Sequence, residues 1–301
     1  NIFGCFFSLL KNNMKENLIT IFFLLLLAGS QPLAAQSWKT SREMSKRQPI
    51  LVAHRGGADC IQPENSVAIM LEMLRKFPET IAGIEVDIRK TASGRLILMH
   101  DAILQRTTNG TGEVASATDD YIDSLYLKDQ AGNLTAEKIP SFEEVLDLLK
   151  DTHLLLMLDV KGDFIPEVIG LVRKKEMEKQ CLLLTFTSER TAIALANSET
   201  MFVSALIKQL SDFENLKKHS SDFGRMAAYI SKDCDTASLT IIRDSGMMLL
   251  TDVLETTKQP FEPHSVSYYQ SVISTTGVDI LVTDFPLYVT KHLFPINSNN
   301  N

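Results

Sequence analysis

Nine short apolar runs, spread from Ile50 to the last fifth of the chain, limit the architectures open to it. They cover 50–54, 81–87, 96–100, 153–160, 181–187, 201–206, 226–230, 247–251 and 278–283. Several, such as HLLLMLDV and VDILVTD, are apolar nearly throughout rather than alternating. A continuous run means that both faces of a strand are covered, which is the habit of parallel strands between helices. Helical stretches lie between most of them, at 65–77, 141–151, 164–179, 189–197, 211–219, 235–245 and 265–276. Ser141 and Glu144 have the capping-box spacing at the head of SFEEVLDLLK. Strand and helix alternating end to end predict a parallel α/β fold. One TIM-type (β/α)8 barrel of about 250 residues would use nearly all of this alternation.

Nine runs exceed eight barrel strands, and 226–230 is expected not to be one of the eight. A second irregularity falls between strands two and three. The eight residues IRKTASGR between Asp87 and Leu96 are too few for a crossover helix, and Ser93-Gly94 suggests a tight turn. Either a local hairpin forms there or the barrel lacks one helix. Residues 101–138, after the third strand, are rich in Thr, Gly, Asp and Asn and are expected to be a small insertion over one barrel mouth.

The barrel is expected over 50–295, and the flanks read differently. Met14-Lys15, the apolar run LITIFFLLLLAG and the small-residue exit QPLAAQ have the layout of a secretory signal over 14–35, with 1–13 as an upstream extension. The run is short for a membrane span of ~20 residues, so no stable span is expected once it is removed, and the protein is expected to be exported, periplasmic or secreted. Residues 36–49 read as a mobile arm and 296–301 as a disordered tail. A formal charge of −7 without a basic stripe argues against nucleic acid. Beyond the signal only Cys60, Cys181 and Cys234 remain, with no CxxC or HxxxH spacing, which excludes a disulfide scaffold and a zinc site.

Distinctive polar groups gather where the apolar runs end: His54-Arg55, Glu85-x-Asp87, His100-Asp101, Asp159-x-Lys161 and Asp284. In a parallel barrel those ends converge on one face. Residues i and i+2 of a strand share a side, so Glu85 and Asp87 point together. With Asp159 they make an all-oxygen set suited to one divalent cation, Ca2+ or Mg2+, with Mn2+ possible. The alternative is that Lys161 and Arg55 neutralise them as salt bridges. His54 and His100 are the acid–base pair, since imidazole titrates near neutrality. Arg55 and Lys161 suit a phosphate group, and Gly56-Gly57 would let backbone N–H groups approach it. Glu64 and Asn65 are further candidates, with Asn65 or Ser66 as a helix cap the simpler account.

HRGG with PENS, IEVDIRKTASGRLILMHD, LQRTTNGTGEV, IPSFEEVLDLL, LMLDVKG and GVDILVTDFP resemble, in order, the signature segments of the glycerophosphodiester phosphodiesterase family. The resemblance runs from about Val52 to Pro286. It implies a TIM-type barrel and cation-dependent hydrolysis of small-molecule glycerophosphodiesters to glycerol 3-phosphate and an alcohol. By position the family's histidines fall on His54 and His100, its metal carboxylates on Glu85, Asp87 and Asp159, and its phosphate-binding positions on Arg55 and Lys161. Phospholipases that cleave phosphoinositides or sphingomyelin resemble the same architecture and are the enzymatic alternative. A non-catalytic phosphodiester-binding protein is the other. Three departures stand out. Asp159 replaces a common Glu, PENS replaces PENT, and MMLLTDV lacks the usual Trp before Thr251, which leaves the head group open. The only tryptophan, Trp38, is expected to lie outside the barrel.

Overall fold

A computed structural model describes residues 37–38, 48–77, 82–254 and 262–294, all within one compact unit, Ala35–Asn301. The upstream extension, the signal segment, the tail and most of the 36–49 arm lie outside the described residues. The strands are β1 (Ile50–Ala53), β2 (Ala82–Lys90), β3 (Leu96–Leu98), β4 (Leu155–Val160), β5 (Cys181–Leu184), β6 (Phe202–Ile207), β7 (Met226–Ile230), β8 (Met248–Val253) and β9 (Ile280–Thr283). β1 pairs in parallel with both β2 and β9, and β2, β4, β5, β6, β7, β8 and β9 pair in parallel in turn. That closes an eight-stranded parallel barrel of the TIM type.

β3 is outside the barrel. It runs antiparallel to the outer end of β2, with Ile88 opposite Leu98. β2 is nine residues long; it runs two residues past its last partner on β4, at Ile88, and six past its last partner on β1, at Ile84. The overhang offers a free edge, and a turn at Thr91–Arg95 with Gly94 at φ 92° brings the chain back along it. The hairpin is therefore the alternative that forms. The expectation about 226–230 is corrected: β7 is a full member of the barrel, paired in parallel with β6 and β8.

The helices are α1 (Val67–Lys76), α2 (Asp119–Ser124), α3 (Phe142–Leu149), α4 (Ile165–Lys174), α5 (Ser188–Asn197), α6 (Leu210–Leu216), α7 (Thr236–Asp244), α8 (Val266–Thr276) and α9 (Pro286–Leu293). Most begin on a side-chain cap. Ser66, Ser141, Thr187, Asp235 and Ser265 each accept an N–H three residues on, which satisfies an otherwise orphaned donor. α9 follows β9 and was not foreseen. Among the described residues no helix is long and apolar enough to cross a membrane.

Continuous apolar runs are explained by two cores. Ile50 and Val52, Leu155 and Met157, Leu182 and Leu184, Met248 and Leu250, and Ile280 and Val282 fill the barrel interior. The alternate residues, such as Ile84, Val86, Leu156, Leu158 and Leu183, pack outward with Met70, Met73, Phe142, Val145 and Val168 of the helices. Trp38 joins the interior core and is 0% exposed. Its indole N–H donates to Gln180 O at 3.0 Å and its backbone N–H to Lys179 O at 3.2 Å. Gln180 immediately precedes β5, so the indole closes the N-terminal end of the barrel. The expectation that Trp38 lies outside the barrel is thereby corrected: its ring packs in one cluster with Ile50, Leu155, Phe202 and Met248 from the strand starts and adds to the close-packed apolar volume there.

Candidate active site

Extending the interior parity past the core carries it to the site. Two residues beyond the inward Val52, Met157, Leu184, Ala227, Leu250 and Val282 come His54, Asp159, Phe186, Tyr229, Asp252 and Asp284. On β2, Gly83 is in register with Val52, so Glu85 and Asp87 face inward too. The residues 1–2 positions past the core therefore share the C-terminal mouth.

Glu85 and Asp87 are 2% and 1% exposed. Asp87 lies beside Asp159 in register. Glu85, Asp87 and Asp159 each present one carboxylate oxygen, and these oxygens lie within 4.8 Å of one another, an arrangement that could hold a metal ion. The salt-bridge alternative is realised in part. Lys161 Nζ stands 2.5 Å from Asp159 Oδ2 and 2.9 Å from Asp87 Oδ1, and Arg55 Nε is 3.5 Å from Asp87 Oδ2. Both cations face Asp87, whose carboxyl stays below its ordinary value because Lys161, Arg55, His100 and the Asn65 amide outweigh its burial. Glu85 receives only the Arg55 backbone N–H at 3.0 Å and His54 Nε2 at 3.9 Å. Burial, with the charge of Asp87 added, pushes Glu85 up to about 8. Three acids against two fixed cations leave a charge that burial makes costly. A divalent cation among oxygen donors would relieve it, so these residues fit such an ion.

His54 follows β1 in a 3-10 turn, His54–Gly56. Its Nδ1 lies 2.7 Å from Asp284 Oδ1, just past β9, with the two side chains 12% and 7% exposed. Burial disfavours the imidazolium, yet the Asp284 hydrogen bond and the Glu85 charge prevail and hold its pKa above the usual value. His100 makes the matching contact, Nδ1 to Asp101 Oδ1 at 2.7 Å. Burial, aided by Arg55 and Lys161, outweighs Asp87 and Asp101 there and lowers its pKa. In each ring Nδ1–H donates to a carboxylate oxygen, which leaves Nε2 turned to the chemistry. His54, Arg55, Glu64, His100, Arg106 and Gln130 border one open cleft.

The remaining candidates join the same network. Arg55 is held at φ 52°, an uncommon conformation for a non-glycine residue. Asn65 does not cap α1; Ser66 does. Asn65 instead donates to Asp87 Oδ2 at 2.9 Å and accepts the Asp87 N–H at 3.1 Å, tying the turn after β1 to the acid trio. Glu64 accepts two bonds from Arg106, both at 2.8 Å. Gly56 and Gly57 serve close packing. A Cβ on Gly56 would stand 2.6 Å from the Ile69 side chain, and one on Gly57 2.5 Å from Pro286.

Four partners of the site were not assigned from sequence. Asp284 orients His54. Arg106 grips Asp101 at 2.7 and 2.9 Å as well as Glu64, and Arg89 donates to His100 O at 2.9 and 2.7 Å. Arg106 and Gln130 come from the 101–138 segment, which carries a small core of Leu104, Val114, Ile122, Leu125 and Leu127 under Ile97. Gln130 donates to Gly57 O at 3.1 Å. Asp284 stands at a strand end, a signal that was visible; for Arg106 the clue was its place in LQRTTNG.

An eight-stranded barrel with paired histidines and clustered acids at its C-terminal mouth defines a class, and the comparisons give it a family. The model of the glycerophosphoryl diester phosphodiesterase family matches residues 54–224, more than half of the chain, which therefore belongs to that family. The glycerophosphodiester phosphodiesterase of Caldanaerobacter subterraneus is 28% identical over 144 residues, 46% of this chain and 58% of that protein. Glycerophosphodiester phosphodiesterase 1 of Bos taurus is 31% identical over 150 residues, 48% of this chain and 43% of that one. The chain thus spans about half the length of these curated relatives. Among solved structures, a glycerophosphoryl diester phosphodiesterase from Parabacteroides distasonis superposes with a TM-score of 0.72 at 24% identity, covering 83% of this chain and 89% of that one. An Oleispira antarctica phosphodiesterase in complex with the product sn-glycerol-3-phosphate gives 0.64 at 19% identity, over 82% and 97%. At these identities the structural likeness establishes the barrel.

Proposed function

We propose that the chain hydrolyses glycerophosphodiesters to glycerol 3-phosphate and an alcohol, with one divalent cation, Ca2+ or Mg2+, held by Glu85, Asp87 and Asp159. The observation that carries this reading is the pair of imidazoles, each with Nδ1 on a carboxylate at 2.7 Å, bordering one cleft above the acid trio. Mere capture of a diester needs no second oriented proton-transfer group. A bound cation supplies electrophilic polarisation of a phosphoryl oxygen. Arg55 and Lys161 donate to the remaining phosphoryl oxygens. One histidine takes the proton of the attacking oxygen, from water or the glycerol 2-hydroxyl, as its bond to phosphorus forms. The other protonates the alcohol oxygen as its bond to phosphorus breaks.

The test is release of glycerol 3-phosphate from glycerophosphocholine by the purified chain. His54→Ala and His100→Ala should each lower kcat at least about 100-fold. No release, or two variants with near-normal rates, would overturn the reading. Release of a phosphorylated head group in place of glycerol 3-phosphate would favour the phospholipase alternative. Export belongs to the same proposal and is supported by the 14–35 segment alone; a mature protein beginning near Gln36 in the external fraction would support it, and an intact N-terminus in the cytosol would remove it.

A further inference from the structure

Where β7 and β8 end, three and two strands round from β1, the barrel mouth carries a group that the proposed chemistry does not use. Tyr229 on β7 and Asp252 on β8 are both inward-facing, and the Tyr229 hydroxyl donates to Asp252 Oδ2. Lys232 Nζ stands 3.5 Å from Asp252 Oδ1, with the two side chains 34% and 24% exposed. The Phe186 ring lies 5.8 Å from the Tyr229 ring. Burial first, then the charge of Asp252, raises the Tyr229 pKa, and Glu85 and Asp159 contribute as well, so the group feels two of the three acids. Tyr229 thus keeps its proton and acts as a donor that fixes the Asp252 carboxylate.

A carboxylate beside a phosphate site would repel the substrate unless its charge were offset. Lys232 and the Tyr229 hydroxyl offset it here. A carboxylate already facing a lysine is a poor host for a second cation, which argues against an ammonium head group at this position of the mouth and leaves its place elsewhere open. It keeps acceptor lone pairs, which suits neutral hydroxyl donors. The aromatic rings of Phe186 and Tyr229 offer an apolar wall for carbon-bound hydrogens beside them. We infer that Asp252, positioned by Tyr229 and Lys232, is a specificity-determining residue that accepts hydrogen bonds from the hydroxyls of the glycerol moiety. This rests on the proposed glycerophosphodiester reading and adds to it the side of the mouth on which glycerol sits.

The experiment is calorimetric binding of sn-glycerol 3-phosphate and of propyl phosphate, which has the same charge and chain length without the hydroxyls. The intact protein should bind glycerol 3-phosphate at least about tenfold more tightly, the low end of the worth of one hydrogen bond to a charged acceptor. In Asp252→Asn that preference should shrink to less than about threefold, while affinity for propyl phosphate moves little. Tyr229→Phe, which keeps the ring and frees the carboxylate, should narrow the same gap. An undiminished preference in both variants would overturn the assignment, as would an equal loss of both ligands. Turnover of glycerophosphocholine by the unaltered enzyme tests the parent reading separately. An active enzyme whose variants keep the preference loses only the subsite, and an inactive protein that still shows the variant-sensitive preference loses only the hydrolysis.

Discussion

Asp284→Asn isolates a contact that barrel closure alone creates. Asp284 Oδ1 meets His54 Nδ1 at 2.7 Å across 230 residues of sequence, and both side chains are nearly buried. The carboxylate accepts a hydrogen bond from Nδ1–H and leaves Nε2 available. An asparagine of the same shape accepts more weakly, or donates its own N–H and shifts the ring proton to Nε2. The backbone need not move, because Asp284 O still accepts the Ala58 N–H at 2.5 Å. A hydrogen bond to a charged partner is worth about 1.5–3 kcal/mol, which corresponds to a fall in kcat of about 10- to 150-fold. The assay is steady-state release of glycerol 3-phosphate by the single variants and by His54→Ala/Asp284→Asn. If Asp284 acts through His54, the double variant is no slower than His54→Ala, since effects of residues acting as a unit do not add. A near-normal kcat in Asp284→Asn, or losses that multiply in the double variant, would refute the orienting role.

Trp38→Ala empties the N-terminal end of the barrel and should cost about 3–5 kcal/mol, a fall in Tm of about 6–20 °C for a domain this size; a change under 2 °C in a thermal melt would show that the indole seals nothing. A saturating divalent cation, at about 100 times its Kd, should stabilise the protein by about 2.7 kcal/mol and raise Tm by about 5 °C or more, and Glu85→Gln should abolish the rise. A melt indifferent to Ca2+, Mg2+ and Mn2+ would deny the trio a cation. Asp59 accepts the Tyr288 N–H at 2.7 Å in the first turn of α9, and its other oxygen, Oδ1, is buried without a hydrogen-bond partner. Burial raises its pKa to about 6. The folded protein then holds a proton that the unfolded chain releases near pH 4, so this group makes stability fall as pH rises from about 4 to about 6, by up to about 2–3 kcal/mol. Asp59→Asn should flatten that slope in a pH series of urea melts; an unchanged slope would assign it to other groups.

The strand ends were legible in the sequence because burial and chemistry change abruptly there. An apolar run that stops at His54, at Glu85-x-Asp87 or at Asp159 marks the point where the interior parity leaves the core. Partnership was not legible. Asp284 was visible as a strand end, but its contact with His54 depends on the pairing of β1 with β9, and nothing near either residue announces it. The exchange of β3 and β7 has a similar origin. MAAYI and LIL are both short and apolar, and only register separates them, since β3 bonds to the overhang of β2 while β7 fills a gap between two neighbours. Trp38 sits in a polar stretch without periodicity, and its burial is decided by the carbonyl of Gln180 at a distance of 142 residues.

The glycine pair after His54 shows how closure also changes the reason for a residue. Read locally, Gly56-Gly57 offered backbone N–H groups to an anion. In the barrel, Gly56 lies against Ile69 of α1 and Gly57 against Pro286 of α9, and α9 reaches this turn because β1 lies beside β9. The turn that carries His54 and Arg55 is therefore wedged between the first and last helices, and Asn65 pins its far end to Asp87. His54 draws its orienting carboxylate from β9, its neighbour Glu85 from β2, and its turn geometry from α1 and α9. A slip of β9 by one residue would turn Asp284 to the other face and leave the imidazole without its acceptor, while the acid trio on β2 and β4 stayed assembled. Partial opening at the β1–β9 seam should consequently abolish proton transfer by His54 before it abolishes cation binding.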